Sequence, residues 1–414
     1  MTGNRAQQQR CLLLVHPSPD LYGSDRQLLE TVRAAVAAGW QAHVLLPEDG
    51  PLHGLLRERG ATTAVVAFPV LRKSVLTPAG MLRWGLAGLP AVVRMVRTLR
   101  RLDPDLLYVN TLTIPPWLLA GRLAGVPALC HVHEAEDDQP WVVRTALNLP
   151  LVLARTVVAN SGATLATVTA TRPLVRRAAV VHNGVPDDGP PCAPRARRPA
   201  DPLAVAVVGR LSPKKGVDLA VEAVARLRAT GLPVTLDLYG SVFPGYEWFE
   251  DQLRHRVARP DLAGAVRLHG YVHPTRAALE AADVVLVPSR AETFGNSAVE
   301  AMLAARPVVA ARVQGLAEVL ADAPRTGLLV EPGSADALAE GLRAVAADPA
   351  GAREQGRQAR AYALEHFSLG RYGEALTALL DAGAGTGGHG RGRRGPSVRP
   401  SRPRAPGPPP RLAG

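Results

Sequence analysis

Along this chain, short runs of consecutive apolar residues alternate with longer stretches whose apolar positions recur every three or four residues. The first kind reads as strands buried on both faces, and the second as amphipathic helices that cover them. Cys11–His16 is a continuous apolar run, and Ser24–Ala38 has helical spacing stopped by Gly39. His43–Leu46, Thr63–Ala67, Leu106–Val109, Ala128–Val132, Thr156–Ala159 and Ala179–His182 continue the strand series, with helical stretches between most of them. The segment 186–202, PDDGPPCAPRARRPADP, is rich in proline and poor in apolar residues, as a linker is.

After it the alternation restarts. Leu203–Val208, Val234–Tyr239, Val266–Leu268, Asp283–Val287 and Pro307–Ala310 read as strands. Val217–Ala229, Glu247–Val257, Gly295–Ala305, Ala335–Ala347, Gly351–His366 and Gly370–Asp381 read as helices. The pattern predicts an α/β protein with two doubly wound domains, at 1–185 and 203–369, and a final helix at 370–381. Residues 382–414 are dominated by Gly, Pro and Arg and are expected to be a disordered basic tail.

In open parallel sheets, ligands bind at the carboxyl ends of the strands, where loops lead into helix N-termini. Polar residues just after each strand are therefore the candidates. After Leu203–Val208 comes Gly209-Arg210-Leu211-Ser212-Pro213-Lys214-Lys215-Gly216. Arg210 and Lys215 set two cations beside a helix N-terminus, which suits a diphosphate; a basic surface turn is the plainer alternative. The spacing is not that of a P-loop. After Asp283–Val287 comes PSRAETFGNSAVEAM, with Glu292 in the loop and Glu300 in the early turns of the next helix. Gly295 lets the backbone turn so that the amides from Thr293 through Phe294 to Asn296 can face a ligand. Glu300 offers two oxygens to a ribose, or simply complements the helix dipole. In the first half, His131 and His133 share one face of a strand. His133 lies at the end where ligands bind, and His131 two residues deeper. The loop Pro17–Gly23 leads into another helix N-terminus.

Composition adjusts this picture little. Apolar content of 47% and charged content of 20% suit a globular enzyme. The net charge of +12 invites a nucleic-acid reading, but seven of the excess charges are arginines of the 382–414 tail, and no recognition motif is present in the body. Cys11, Cys130 and Cys192 form neither a CxxC pair nor a metal pattern. They read as reduced thiols of a cytoplasmic protein, and no metal or resident cofactor is assigned. The apolar stretch Ser74–Val93 is broken by Pro78, Arg83 and Pro90 and is not read as membrane-spanning. Between Gly60 and Leu102 there are seven basic residues and no acid, with Met81, Leu82, Trp84, Leu86, Leu89 and Val92 nearby. Such a face fits either an anionic membrane surface or ordinary core packing with a solvated basic side.

Taken together, the segments resemble glycosyltransferase family 4, the retaining enzymes of GT-B architecture, over nearly all of Cys11 to Asp381. PSRAETFGNSAVEAM looks like the family's E-x7-E segment, VVGRLSPKKGVDLAVEA like its phosphate-binding segment, and VVHNGV at Val180–Val185 like the end of its first domain. TGLLVEPG at Thr326–Gly333 also matches. The resemblance implies two Rossmann-like domains facing across a cleft, with the final helix crossing back to the first. It implies that Glu300 holds the nucleotide ribose and that Arg210 and Lys215 neutralise the diphosphate. Glu292, Thr293, Phe294 and Gly295 would hold the donor sugar and its phosphate, with His133 beside the sugar and Gly23 in the first loop. The sequence departs from the family at Tyr22-Gly23-Ser24, where paired glycines are frequent, and at Ala305, where glycine is common.

The expected activity is transfer of a glycosyl group from a UDP- or GDP-linked sugar to an acceptor hydroxyl with retained configuration. A nucleotide-sugar 2-epimerase of the same architecture, and a nucleic-acid-binding protein acting through its tail, are the alternatives. No specific nucleic acid is expected as partner, and the oligomeric state is not legible.

Overall fold

A strand whose every side chain is apolar must be covered on both faces, and the central strands of both sheets meet that demand. The computed structural model describes residues 9–21, 23–71, 78–134, 141–171, 177–189, 193–198, 201–243 and 245–385. Tyr22, Arg72, Lys73, Cys192 and the tail from residue 386 lie outside the described residues, as do the side chains of Met81, Leu82, Arg83, Trp84 and Leu86.

The first sheet contains β1 (Cys11–Val15), β2 (Gln41–Leu46), β3 (Thr62–Val65), β4 (Leu106–Val109), β5 (Ala128–Val132), β6 (Thr156–Ala159) and β7 (Ala178–Val180). Their order is β3-β2-β1-β4-β5-β6-β7, and the pairs are parallel. Around it lie α1 (Gly23–Ala37), α2 (Leu52–Glu58), α3 (Pro78–Leu102), α4 (Pro116–Ala124), α5 (Trp141–Asn148) and α6 (Gly162–Thr171). The pleat divides each strand between two cores. Leu12 and Leu14 pack with Leu28 and Val32 of α1, whereas Leu13 and Val15 pack with Met95 and Leu99 of α3 and Trp117 of α4.

The second sheet repeats the plan with β8 (Leu203–Val208), β9 (Val234–Tyr239), β10 (Val266–Gly270), β11 (Val284–Val287), β12 (Val308–Ala311) and β13 (Leu328–Val330). The order is β10-β9-β8-β11-β12-β13, again parallel. Its helices are α7 (Val217–Ala229), α8 (Glu247–Val257), α9 (Arg276–Ala281), α10 (Asn296–Leu303), α11 (Gln314–Val319), α12 (Ala335–Ala347) and α13 (Pro349–His366). The strand order of each sheet reverses once, between β1 and β4 and between β8 and β11, which is where an open sheet leaves a crevice for ligand.

Helix α14 (Leu369–Ala384) returns to the first domain. Tyr372, Leu376 and Leu380, one helical face, are buried in the core shared by β1, β4 and α1. The Tyr372 hydroxyl lies 2.6 Å from Thr31 Oγ1 of α1. The helix runs three residues past the expected end at Asp381, because Gly383 presses its bare Cα against Leu106. Of the expected linker, Asp187 is clamped by Arg276 (2.9 Å) and by two nitrogens of Arg360. Most other boundaries that differ from expectation do so by one or two residues, as at β3, β7, β10 and α13, and two have a clear physical cause. β1 stops at Val15, because His16 turns into a buried polar network. α10 stops at Leu303, because Ala305 takes a left-handed conformation with φ of 52°. The short strand β13, inside TGLLVEPG, is too brief to stand out as a periodic segment. Among the described residues no helix is long and apolar enough to cross a membrane.

Candidate active site

The second domain supplies most of the charged groups. The turn after β8 carries Arg210 and Lys215, and the loop after β11 carries Glu292 to Gly295. Val208, Gly209, Arg210, Lys215, Ser289 and Ser297 line one small cavity at the carboxyl ends of these two strands. The turn can pass so close to β11 only because Gly216 has φ of 65° and no side chain; a Cβ there would lie 2.0 Å from the Pro288 carbonyl. Gly295, with φ of 114°, directs the chain into α10 under Leu316, whose Cδ2 would be 2.5 Å from an added Cβ. The amide end of α10 therefore opens at the strand ends, with its positive dipole.

Lys215 and Glu292 form a short ion pair with each other, and Ser289 Oγ donates to the same carboxylate oxygen at 3.3 Å. Arg210 lies over the Phe243 ring, 4.4 Å from its centroid. Thr293 is half-buried and Phe294 is buried against His182 and Phe367. Glu300 faces away from this group. Its Oε2 accepts from Thr275 Oγ1 at 2.8 Å, and burial raises its carboxyl above the ordinary value, partly offset by Thr275.

Among the described residues the first domain meets this edge through several side-chain contacts. Asn183 Nδ2 donates to Asn296 Oδ1 at 3.0 Å, and Asn160 Nδ2 to Thr293 Oγ1 at 3.4 Å. Gly23, the first residue of α1, is so placed that an added Cβ would be 3.9 Å from Asn296 Nδ2. Arg26 reaches over to Tyr271 Oη (2.6 Å) and His273 Nε2 (2.8 Å), and its charge lowers the Glu300 carboxyl. Glu318 of α11 accepts from the backbone N–H groups of Gly162 (2.8 Å) and Ala163 (2.6 Å), the first turn of α6. His182 Nε2 is 3.4 Å from it.

His133 sits just past the end of β5 and is almost wholly buried, with Nε2 2.8 Å from Asn110 Oδ1. Burial, reinforced by neighbouring His16, lowers its pKa to about 3, so the ring is neutral. His131 is fully buried. Its Nδ1 is 2.5 Å from the Tyr108 hydroxyl and its ring centroid 4.1 Å from that of His133, so it packs beneath. Of the residues that the sequence pointed to, Lys215 and Glu292 are in direct contact and Arg210 and Lys215 line one cavity, whereas Glu300 is tied to Thr275 and His133 to Asn110 of the first domain. Sequence reasoning passed over Arg26, His16, Asn110, Thr275 and Glu318. His16 and Asn110 each follow a strand directly, which is the signal that could have found them. Arg26 and Glu318 contact the opposite domain, and nothing local in the sequence marks that.

Two Rossmann-like domains meeting at their strand ends, with cations and carboxylates on one side and a buried histidine on the other, define a glycosyltransferase of GT-B architecture. Residues 22–188 match the family described as Glycosyltransferase Family 4, and residues 202–348 that described as Glycosyl transferases group 1. The glycogen synthase of Mycobacterium tuberculosis is 32% identical over 302 residues, covering 68% of this chain and 70% of that protein. The 2-deoxystreptamine glucosyltransferase of Streptomyces kanamyceticus is 30% identical over 379 residues, covering 83% and 94%. The chain belongs to glycosyltransferase family 4. Its fold is shared with Anabaena HepE in complex with UDP, at a TM-score of 0.75 and 23% identity, over 90% of this chain and 99% of that one.

Proposed function

We propose that the protein transfers a glycosyl group from a nucleoside diphosphate sugar to an acceptor hydroxyl with retention of configuration. The observation that carries this is the joint placement of Arg210, Lys215 and the open amide end of α10 at the ends of β8 and β11. The bond from the anomeric carbon to the diphosphate breaks, and negative charge accumulates on the leaving phosphate. Fixed cations and helix amides stabilise that charge without reorganising. A bond from the acceptor oxygen to the same face of the anomeric carbon forms, and the acceptor proton passes to a leaving phosphate oxygen. Glu300 holds the ribose. Glu292, oriented by Lys215, and His133 hold the transferred sugar. Structures of Anabaena HepE bear UDP and UDP-glucose, which favours a uridine donor here. The 2-epimerase alternative would need an acid and a base at the sugar's C2, and the carboxylates beside the donor site are already engaged with Lys215 and Thr275.

The acceptor is carried at a membrane surface in this reading. Leu89 and Val93 of α3 are 73% and 48% exposed, and Leu119 and Leu123 of α4 are 40% and 54% exposed. Arg94, Arg97, Arg100, Arg101 and Arg122 are exposed on the same two helices.

A thermal-shift screen of nucleotide sugars tests the donor side. A true donor at 100 times its Kd should add about 2.7 kcal/mol of stability. A flat response to every nucleotide sugar, or release of an epimer from donor alone, would overturn the proposal.

A further inference from the structure

Beneath the cleft, His133 continues into a row of buried polar groups to which the transfer chemistry above gives no task. His16, Asn110 and His133 each stand directly after or next to the last residue of a strand, Val15 of β1, Val109 of β4 and Val132 of β5. These strands are neighbours in the sheet, so the three side chains meet end to end. Asp25 Oδ1, from the first turn of α1, lies 2.6 Å from His16 Nε2. Asn110 Nδ2 lies 2.8 Å from His16 Nδ1, and Asn110 Oδ1 2.8 Å from His133 Nε2. His16 and Asn110 are wholly buried and Asp25 is 3% exposed.

The row has a direction. A carboxylate only accepts hydrogen bonds, and an amide –NH₂ only donates them. Asp25 therefore accepts a hydrogen bond from His16 Nε2–H, which leaves His16 Nδ1 to accept from Asn110 Nδ2. The Asn110 carbonyl, in turn, accepts from His133 Nε2–H. His133 is left as a neutral ring with its lone pair on Nδ1.

We propose that Asp25, acting through His16 and Asn110, is a positioning residue that sets the tautomer of His133, so that Nδ1 faces the reaction as a hydrogen-bond acceptor. The functional half of this rests on the reading of His133 as the group beside the transferred sugar. The consequence is that residue 25 is needed for the sign of its hydrogen bond and not for its shape. In Asp25→Asn the new amide –NH₂ can donate to His16 Nε2. The His16 proton then moves to Nδ1, the Asn110 amide turns over, and His133 receives its proton on Nδ1. Each hydrogen bond is kept and each is reversed.

The test uses the full chain with ¹⁵N-labelled histidine at mildly alkaline pH, where ring nitrogen shifts distinguish the two neutral tautomers. His133→Gln assigns the signals. The native protein should show His133 protonated on Nε2. Asp25→Asn should show both His133 and His16 protonated on Nδ1, with a melting temperature close to native and a turnover number lowered about tenfold or more. Native His133 protonated on Nδ1 would overturn the proposal; because an asparagine oxygen can also accept from His16 Nε2, an unmoved tautomer in Asp25→Asn is decided by Asn110→Ala, where a pure Nε2–H ring overturns it. Should Asp25→Asn not fold, Asn110→Ala leaves the Asp25–His16 pair intact and releases His133. It should give a mixture of tautomers, and a pure Nε2–H ring there refutes the relay. The spectra are read without substrate. A relay that behaves as expected in a chain that transfers no sugar therefore counts against the proposed function alone.

Discussion

Lys215 and Glu292 hold each other at the mouth of the candidate donor site, and this changes what each substitution should do. Glu292 cancels part of the charge that would meet an anionic ligand. Glu292→Ala should therefore leave nucleoside diphosphate affinity unchanged or raise it, while turnover of the full donor falls. Glu300 stands apart, tied to Thr275. A hydrogen bond to a charged group is worth about 1.5–3 kcal/mol, so Glu300→Ala should weaken the diphosphate about 10–100-fold. Calorimetry paired with initial rates checks both, and the opposite pattern inverts the two roles. Ala305 makes a different prediction. Its φ of 52° places a methyl group in the left-handed region, at a cost of about 1–2 kcal/mol. Glycine removes that cost but gives up a buried methyl and adds chain entropy, so Ala305→Gly should be neutral within about 1 kcal/mol. Ala305→Val, with a branched side chain at the same angles, should lower the denaturation midpoint clearly.

At the scale of elements, the described side chains of α3 from Leu89 onward divide between a buried and an exposed face. Ala91, Met95 and Leu99 are buried, while Leu89, Val93, Arg97, Arg100 and Arg101 are exposed. If this face docks on a bilayer, Leu89→Ser together with Val93→Ser should reduce sedimentation with anionic vesicles and leave melting unchanged. Equal, negligible binding of the native protein to neutral and anionic vesicles would refute the docking. The same helix shows what a sequence can disclose. Apolar continuity located β4, β5, β6 and β8 to the residue, because a strand buried on two faces is mostly apolar, and alternation located β9, whose Thr235 and Asp237 point to its half-buried face. Periodicity placed α7, α8 and α12 equally well. It failed where tertiary contact set the boundary: at His16, drawn out of β1 by Asp25 and Asn110, and at Gly383, which extends α14 against Leu106. The candidate site was legible where chemistry follows a strand directly, as at Arg210, Glu292 and His133. The ion pair of Lys215 with Glu292 was not legible, because 77 residues of chain separate its partners.

For the whole molecule, Glu318 is a contact between the two domains that depends on pH. Burial by itself would raise its carboxyl, but His182 and the amides of Gly162 and Ala163 outweigh burial and hold it below the ordinary value. A carboxyl lowered in the folded state contributes fully above its unfolded value, about 4.3, and loses that contribution as pH falls through the lower folded value. The contact between the domains should therefore weaken only as the pH falls below about 4.3. Scattering should show the radius of gyration rising on acidification in the native protein. Glu318→Ala, which removes a cap worth about 0.5–2 kcal/mol, should show the larger radius already at neutral pH. An unchanged radius in that variant would show that the other contacts suffice.

The return of α14 has a consequence for the order in which the molecule is made. The core beneath β1 is closed by Tyr372, Leu376 and Leu380. A ribosome working from the amino end releases β1 early and these three side chains more than 350 residues later. Until then Leu12, Leu14, Leu28 and Val32 lack part of their cover. The half translated second holds all of its own strands by Val330 and its packing helices by His366, so it can be complete while the half translated first still waits. A released chain truncated after residue 368 should thus present a protease-resistant second domain and a first domain still open to cleavage.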